Sequence, residues 1–230
     1  MAQYTLILGT KNWSSWSLRP YVAMRATGAP FEEAVIRLRR TESPTTRDEI
    51  VKHSSSGRVP VLKIAEGSRT HTVWDSLAIC ETLAERHPQA KLWPEDRFVR
   101  AEARSYACEM HSGFPNVRER LTMEFARRFP APPLNEAARD EIARIIAAWD
   151  HALAHHGGTH GFLFGRFSVA DAMYAPVVSR FITYGIDVPE NVRSYMDRVM
   201  ALPAMQDWGK ASRAEVDAGL PSAPWVAPAA

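Results

Sequence analysis

Cysteine is scarce in this 230-residue sequence, which carries only Cys80 and Cys108, in neither a CxxC pair nor a disulfide framework. That usage fits a reducing compartment, and a chain of this size buries roughly 70% of its unfolded surface without covalent staples. Long apolar runs are also missing. No stretch approaches the ~18 residues of a membrane span, and Met1–Gly9 has no basic segment ahead of an apolar run, so no secretory signal is expected. Charge of one sign is not in excess, with 28 Lys and Arg against 26 Asp and Glu. A net of +2 argues against a dedicated nucleic-acid binder and against a polybasic membrane-surface protein. There is no GxGxxG, no P-loop and no GxSxG. The eight histidines lack metal-ligand spacing: His155 and His156 are adjacent, and His151 and His155 stand four apart without an HExxH pattern, so no metal is expected. No internal repeat is visible. What remains is ordinary for a soluble globular chain, 46% hydrophobic and 23% charged, and the expectation is a cytoplasmic protein of one large domain or two small ones.

The two parts of the chain differ in texture. Up to about Arg86, short β-like runs alternate with helical patterns; from Phe98 to about Ser212 the pattern is helical throughout. Tyr4–Leu8 predicts a buried strand ending at Gly9. A helix follows over Leu18–Gly28, capped by Ser14, Ser15 or Ser17, with Pro20 in its first turn and Gly28 at its end. Ala34–Leu38 and Val59–Ile64 predict two more strands. Arg69–Trp74 completes a hairpin across Glu66-Gly67-Ser68. Asp75-Ser76 opens a helix bearing Leu77, Ile79, Cys80, Leu83 and Ala84. This order implies a small mixed sheet with a right-handed crossover between its first two strands. Residues 87–97, with Pro88 and Pro94, read as a linker. Ile142, Ile145, Ile146, Trp149 and Leu153 form a core-facing helical stripe. Ser168 with Asp171 makes a capping box, Pro176 is expected to kink the helix after it, and Pro221–Ala230 reads as a loosely ordered tail.

Three places suit chemistry. The loop Asn12–Ser17 follows the first strand, where open α/β sheets bind ligands, and serine hydroxyls at a helix start suit an anion favoured by the helix dipole; simple capping is the bland alternative. Arg58-Val59-Pro60 precedes a strand. A cis Val59–Pro60 bond would leave the Val59 backbone free to pair with an extended peptide, whereas an edge-strand trans proline is the commoner case. Asp75-Ser76 before an apolar helix is either an N-cap or a carboxylate site with an acid beside it.

Taken together, a serine before the first helix, Val-Pro before the third strand and Asp-Ser before the third helix resemble the cytosolic glutathione transferases. Ser14-Ser15-Trp16-Ser17-Leu18-Arg19 is similar to the Ser-Ser-Cys-Ser-Trp-Arg motif of the zeta class, with Trp16 in place of the cysteine. Phe164–Asp171 is similar to the family's capping-box segment. The resemblance covers nearly the whole chain and implies a thioredoxin-like α/β domain over residues 1–86, a linker over 87–97 and an all-α domain over 98–230.

It further implies that glutathione is the co-substrate and that no metal is required. Val59, held by a cis Pro60, pairs with the cysteinyl backbone. Ser76 and the helix amides take the γ-glutamyl carboxylate, with Asp75 near the ammonium. Ser14 donates to the sulfur, with Ser15 in reserve. Ser14 is taken as the freer hydroxyl because it stands farther from the helix body, and Ser15 as the cap or a second donor. The electrophile lies against the helical domain near Met110 and His111. Lys11, Lys52, His53 and Arg58 are candidates for the glycine carboxylate. The implied activity is glutathione transfer to a small hydrophobic electrophile; a maleylacetoacetate- or maleylpyruvate-type cis–trans isomerase and a non-catalytic binding protein are the alternatives. A homodimer is also implied.

Overall fold

The computed structural model describes residues 2–38 and 46–222. β1 (Gln3–Gly9), α1 (Ser15–Thr27) and β2 (Glu32–Ile36) form the crossover unit, with β1 and β2 parallel. A short α2 (Thr46–Ile50) leads to β3 (Val61–Glu66), β4 (Arg69–Val73) and α3 (Ser76–Arg86). The sheet order is β2-β1-β3-β4, with β3 antiparallel to both neighbours. Gly28 ends α1 at φ 71° and Gly67 turns the hairpin at φ 57°, two positions where a side chain would strain the backbone. The second strand lies two residues earlier than the sequence pattern implied, because Glu32 and Glu33 pair with Thr5 and Leu6 at an edge where charged side chains are tolerated.

After a 3-10 turn at Pro88–Ala90 the chain is helical: α4 (Arg97–Ser112), α5 (Pro115–Arg120), α6 (Glu136–His156), α7 (Val169–Thr183), α8 (Glu190–Met200) and α9 (Pro203–Asp217). The helical texture is interrupted at residues 121–135 by an irregular segment whose Leu121, Met123 and Phe125 are buried. Phe114 at φ 60° followed by Pro115 breaks what would otherwise be one helix into α4 and α5. The α6 stripe packs inward through Ile142, Ile145 and Trp149, while Ile146 and Leu153 flank the core. α7 runs through Pro176 without ending and is buried along almost its whole length. Its capping box is closed: Asp171 accepts from the Ser168 amide at 2.8 Å and the Leu163 amide at 3.1 Å. α1 is buried on nearly every side, as expected of a helix held between layers; it lies between α3 and the helices α7 and α9. The tail from residue 223 onward lies outside the described residues.

Candidate active site

Strand register sets the location. Ile7 pairs with Val61 and Leu62 with Val73, so the end of β1, the start of β3 and the end of β4 lie side by side. Each candidate segment continues from one of those ends.

The first segment, Thr10–Ser14, is tied down from the helical half. Asn12 donates to Glu124 at 2.6 Å and accepts from the Ala126 amide at 2.8 Å, while Trp13 Nε1 donates to Glu124 at 3.2 Å. Glu215 on α9 accepts from the Lys11 and Asn12 amides at 2.9 and 2.8 Å, and Trp208 Nε1 donates to the Lys11 carbonyl at 2.8 Å. Glu124 is fully buried, and its charge is tolerable there because Asn12, Trp13 and Arg127 all donate to it.

The cap of α1 falls to Ser14 and not to Ser15. Ser14 is the N-cap of α1: its Oγ accepts from the Ser17 amide at 3.4 Å and donates to Ser17 Oγ at 2.7 Å, and Ser17 Oγ in turn accepts from the Gly9 amide at 3.0 Å. Ser15 is the first helical residue, and among the described residues its hydroxyl has no hydrogen-bond partner. Chain distance from the helix body misled the assignment, since the capping geometry places the N-cap hydroxyl back over the first turn.

The Val59–Pro60 bond is cis, and neither polar backbone atom of Val59 is bonded within the described residues. Asp75 caps α3 by accepting from the Leu77 amide at 3.1 Å. Ser76 is fully buried with its Oγ unpartnered. His111 Nε2 lies 3.1 Å from Asp75 Oδ2, joining α4 to the start of α3, and its Nδ1 is buried without a partner. The Trp16 ring meets His111 edge-on at 5.4 Å.

Two expected residues lie elsewhere. Met110 is packed in the core, so only its neighbour His111 faces the cleft. Lys11 is not free for a ligand: its Nζ pairs with Glu33 at 2.5 Å and sits 5.0 and 5.3 Å from the Tyr21 and Trp208 rings. Lys52 and Arg58 are exposed beside a half-buried His53, whose pKa is lowered by burial and then by Lys63 and Lys52.

The arrangement therefore offers an unbonded backbone beside a cis proline, two free serine hydroxyls at helix starts and a histidine–carboxylate pair, all at one end of a four-stranded sheet. Residues 13–86 match the family model described as glutathione S-transferase, N-terminal domain, and residues 132–208 match the corresponding C-terminal domain. The chain belongs to the glutathione S-transferase family. A maleylacetoacetate isomerase from Pseudomonas aeruginosa is 24% identical over 89% of this chain and 96% of its own length. A glutathione transferase homolog from Burkholderia, solved with bound glutathione, is 25% identical, covers 92% of this chain and 98% of its own, and superposes with a TM-score of 0.67. Omega 2S glutathione transferase from Trametes versicolor shares the fold at a TM-score of 0.69 and 18% identity, covering 98% of this chain and 99% of its own.

In this glutathione S-transferase, sequence reasoning overlooked three arginines. Arg19 on α1 is fully buried, and none of its three guanidinium nitrogens has a partner among the described residues. Its guanidinium lies 4.3 Å from the Trp16 ring centre, and that of Arg118 lies 4.9 Å from the same ring. Arg118 donates to the Gly113, Met110 and His111 carbonyls at the end of α4, and Arg180 donates to the Arg118 and Leu121 carbonyls. Burial lowers the pKa of all three, to about 9 for Arg180. The readable signal was Arg19 standing one turn after Ser15, among the apolar residues Leu18, Tyr21, Val22 and Met24 of the same helix. Glu124 and Glu215 left no such signal, because the loop residues they hold lie more than 100 residues away.

Proposed function

We propose that this chain binds glutathione at the end of the sheet, ionises its thiol beside Ser15 and delivers the thiolate to a small hydrophobic electrophile held against the helical half. The observation that carries the reading is a coincidence of unbonded groups at one end of the sheet: the Val59 backbone and the Ser15 and Ser76 hydroxyls are all open there. An open hydrogen-bonding group in a buried place costs free energy unless a ligand completes it. Glutathione is complementary to such a set. Its cysteinyl amide pairs with Val59 beside Pro60, and its γ-glutamyl carboxylate takes the Ser76 hydroxyl and the α3 amides, where the helix dipole favours an anion. Its ammonium approaches Asp75, and its glycine carboxylate lies toward Lys52, His53 or Arg58. Ser15 donates to the sulfur, while Ser14 holds the helix start that aims it.

A free thiol titrates near 8.5. Lowering that by two units takes about 2.7 kcal/mol, within reach of one or two charge-assisted hydrogen bonds. His111, braced by Asp75, is available to orient a polar group of the electrophile. The reading includes a cytoplasmic homodimer with an isologous contact, the commonest oligomer; a light-scattering mass near the monomer's 25.8 kDa would contradict that part.

Calorimetry in buffers of different ionisation enthalpy tests the central claim. Glutathione should bind with release of a proton at neutral pH, and S-methylglutathione should bind without it. Absence of binding by either compound would overturn the reading. Turnover of a halogenated aromatic against a maleyl substrate then separates transfer from isomerisation, the activity named for the Pseudomonas relative.

A further inference from the structure

We propose that Arg19 is the buried cation whose field stabilises the glutathione thiolate, acting across one helical turn from Ser15 without touching the sulfur. The inference rests on the thiolate reading above and adds a residue to it. Ser15 and Arg19 are four residues apart on α1, which places them on one face, one above the other. Long side chains on a helix point back toward its N-terminus, and the guanidinium does so here, reaching the level of the Trp16 ring at 4.3 Å. The cation thus reaches back beside Trp16, the residue that follows the serine proposed to meet the sulfur.

A guanidinium removed from water and left without a counter-ion is costly. The groups around it do not supply one. Arg118 on α5 and Arg180 on α7 repel it; Asp75 attracts it but is engaged by His111 on α4; and Cys80 on α3 is a neutral thiol, pushed up to about 12 by burial. The neighbourhood therefore has an excess of positive charge, which an anion at the α1 N-terminus would offset. Arginine keeps its proton in proteins, so the field is present throughout the pH range over which a thiol titrates. In a low-dielectric interior it acts over several ångströms more strongly than any surface charge.

The thiolate absorbance of bound glutathione, followed against pH, tests this in the full-length enzyme. Arg19→Met should raise the bound thiol's pKa by about one unit, a roughly tenfold loss of thiolate below the titration, while S-methylglutathione still binds. Arg19→Lys, which keeps the charge, should recover most of the shift. Arg19→Gln carries the comparison if Arg19→Met does not fold. A structural role alone, as a stacking partner of Trp16, would lower thermal stability and leave the thiol pKa in place. A measurement without mutation is independent of folding: a buried charge is poorly screened, so the wild-type thiol pKa should hold between low and about 1 M salt. A salt-dependent return toward the free value, or an unchanged pKa in folded Arg19→Met, overturns the assignment. If the wild-type enzyme shows no thiolate at neutral pH, the underlying reading fails instead.

Discussion

The starts of α7 and α3 use the same chemistry to opposite ends. Each has a serine and an aspartate at its first turn. At α7 the set is closed: Asp171 is fully buried, and two backbone amides and the Ser168 hydroxyl donate to it. At α3 it is open: Asp75 is half exposed and leans on His111 from another helix, and Ser76 is buried with nothing to bond. The closed set contributes to stability and has no capacity left for a ligand. The open set gives up stability and keeps its hydrogen-bonding capacity for a solute. A capping pattern in a sequence does not distinguish the two; whether its polar atoms are already satisfied does.

The strongest way to break this contrast is at Asp171. Asp171→Ala strands the Leu163 and Ser168 amides in the core and should cost about 3 kcal/mol or more in denaturant unfolding. Burial raises the Asp171 pKa from 3.8 to about 6. The protonated carboxyl's contribution is therefore complete below the unfolded value and lost as pH rises through about 6, a difference of roughly 3 kcal/mol. Asp171→Asn should remove that component from the pH–stability curve; an unchanged curve would show that Asp171 is not its source.

At α1, Ser15→Ala should raise the bound thiol's pKa by one to two units, the value of one hydrogen bond to an anion, and shift the pH–rate profile to the alkaline side. Ser76→Ala sharpens the contrast from the open side. It should raise KM for glutathione about tenfold or more with kcat unchanged, since the carboxylate is held equally in ground and transition states. It should also leave folding stability equal or slightly higher, because a buried unbonded hydroxyl is removed. A fall in kcat at constant KM would contradict that role. The smallest effect belongs to Ser14→Ala, a loss of about 1 kcal/mol in folding stability from the missing cap, with a pH–rate profile moved much less than by Ser15→Ala. The reverse pattern would return Ser14 to the sulfur.

Much of the fold was legible because it is written locally. The β1 apolar run, the Gly28 and Gly67 turns, the α6 stripe and the Ser168–Asp171 box all lie within one or two turns of chain. The segments proposed for the site were legible as well, since the cis Val59-Pro60 and the α3 cap at Asp75-Ser76 announce themselves by residue type and position. The allocation of work within the site was not. Which serine caps, which lysine is occupied and which methionine is buried depend on Ser17, Glu33 and the packing of α4, and no local pattern reports those distances. Arg19 was hidden for a related reason: an arginine after a serine motif is unremarkable until its surroundings are seen to lack an anion.

The tether of residues 11 and 12 to Glu215 makes the two halves of the chain depend on each other. Glu215 lies on α9, more than 200 residues along the chain from the loop it holds. Closing so long a loop costs entropy that rises only slowly with its length, so the sheet and the helical half are held together by contacts that neither contains alone. A chain lacking α9 would therefore keep every residue proposed to meet glutathione and lose the bonds that fix the loop ahead of α1.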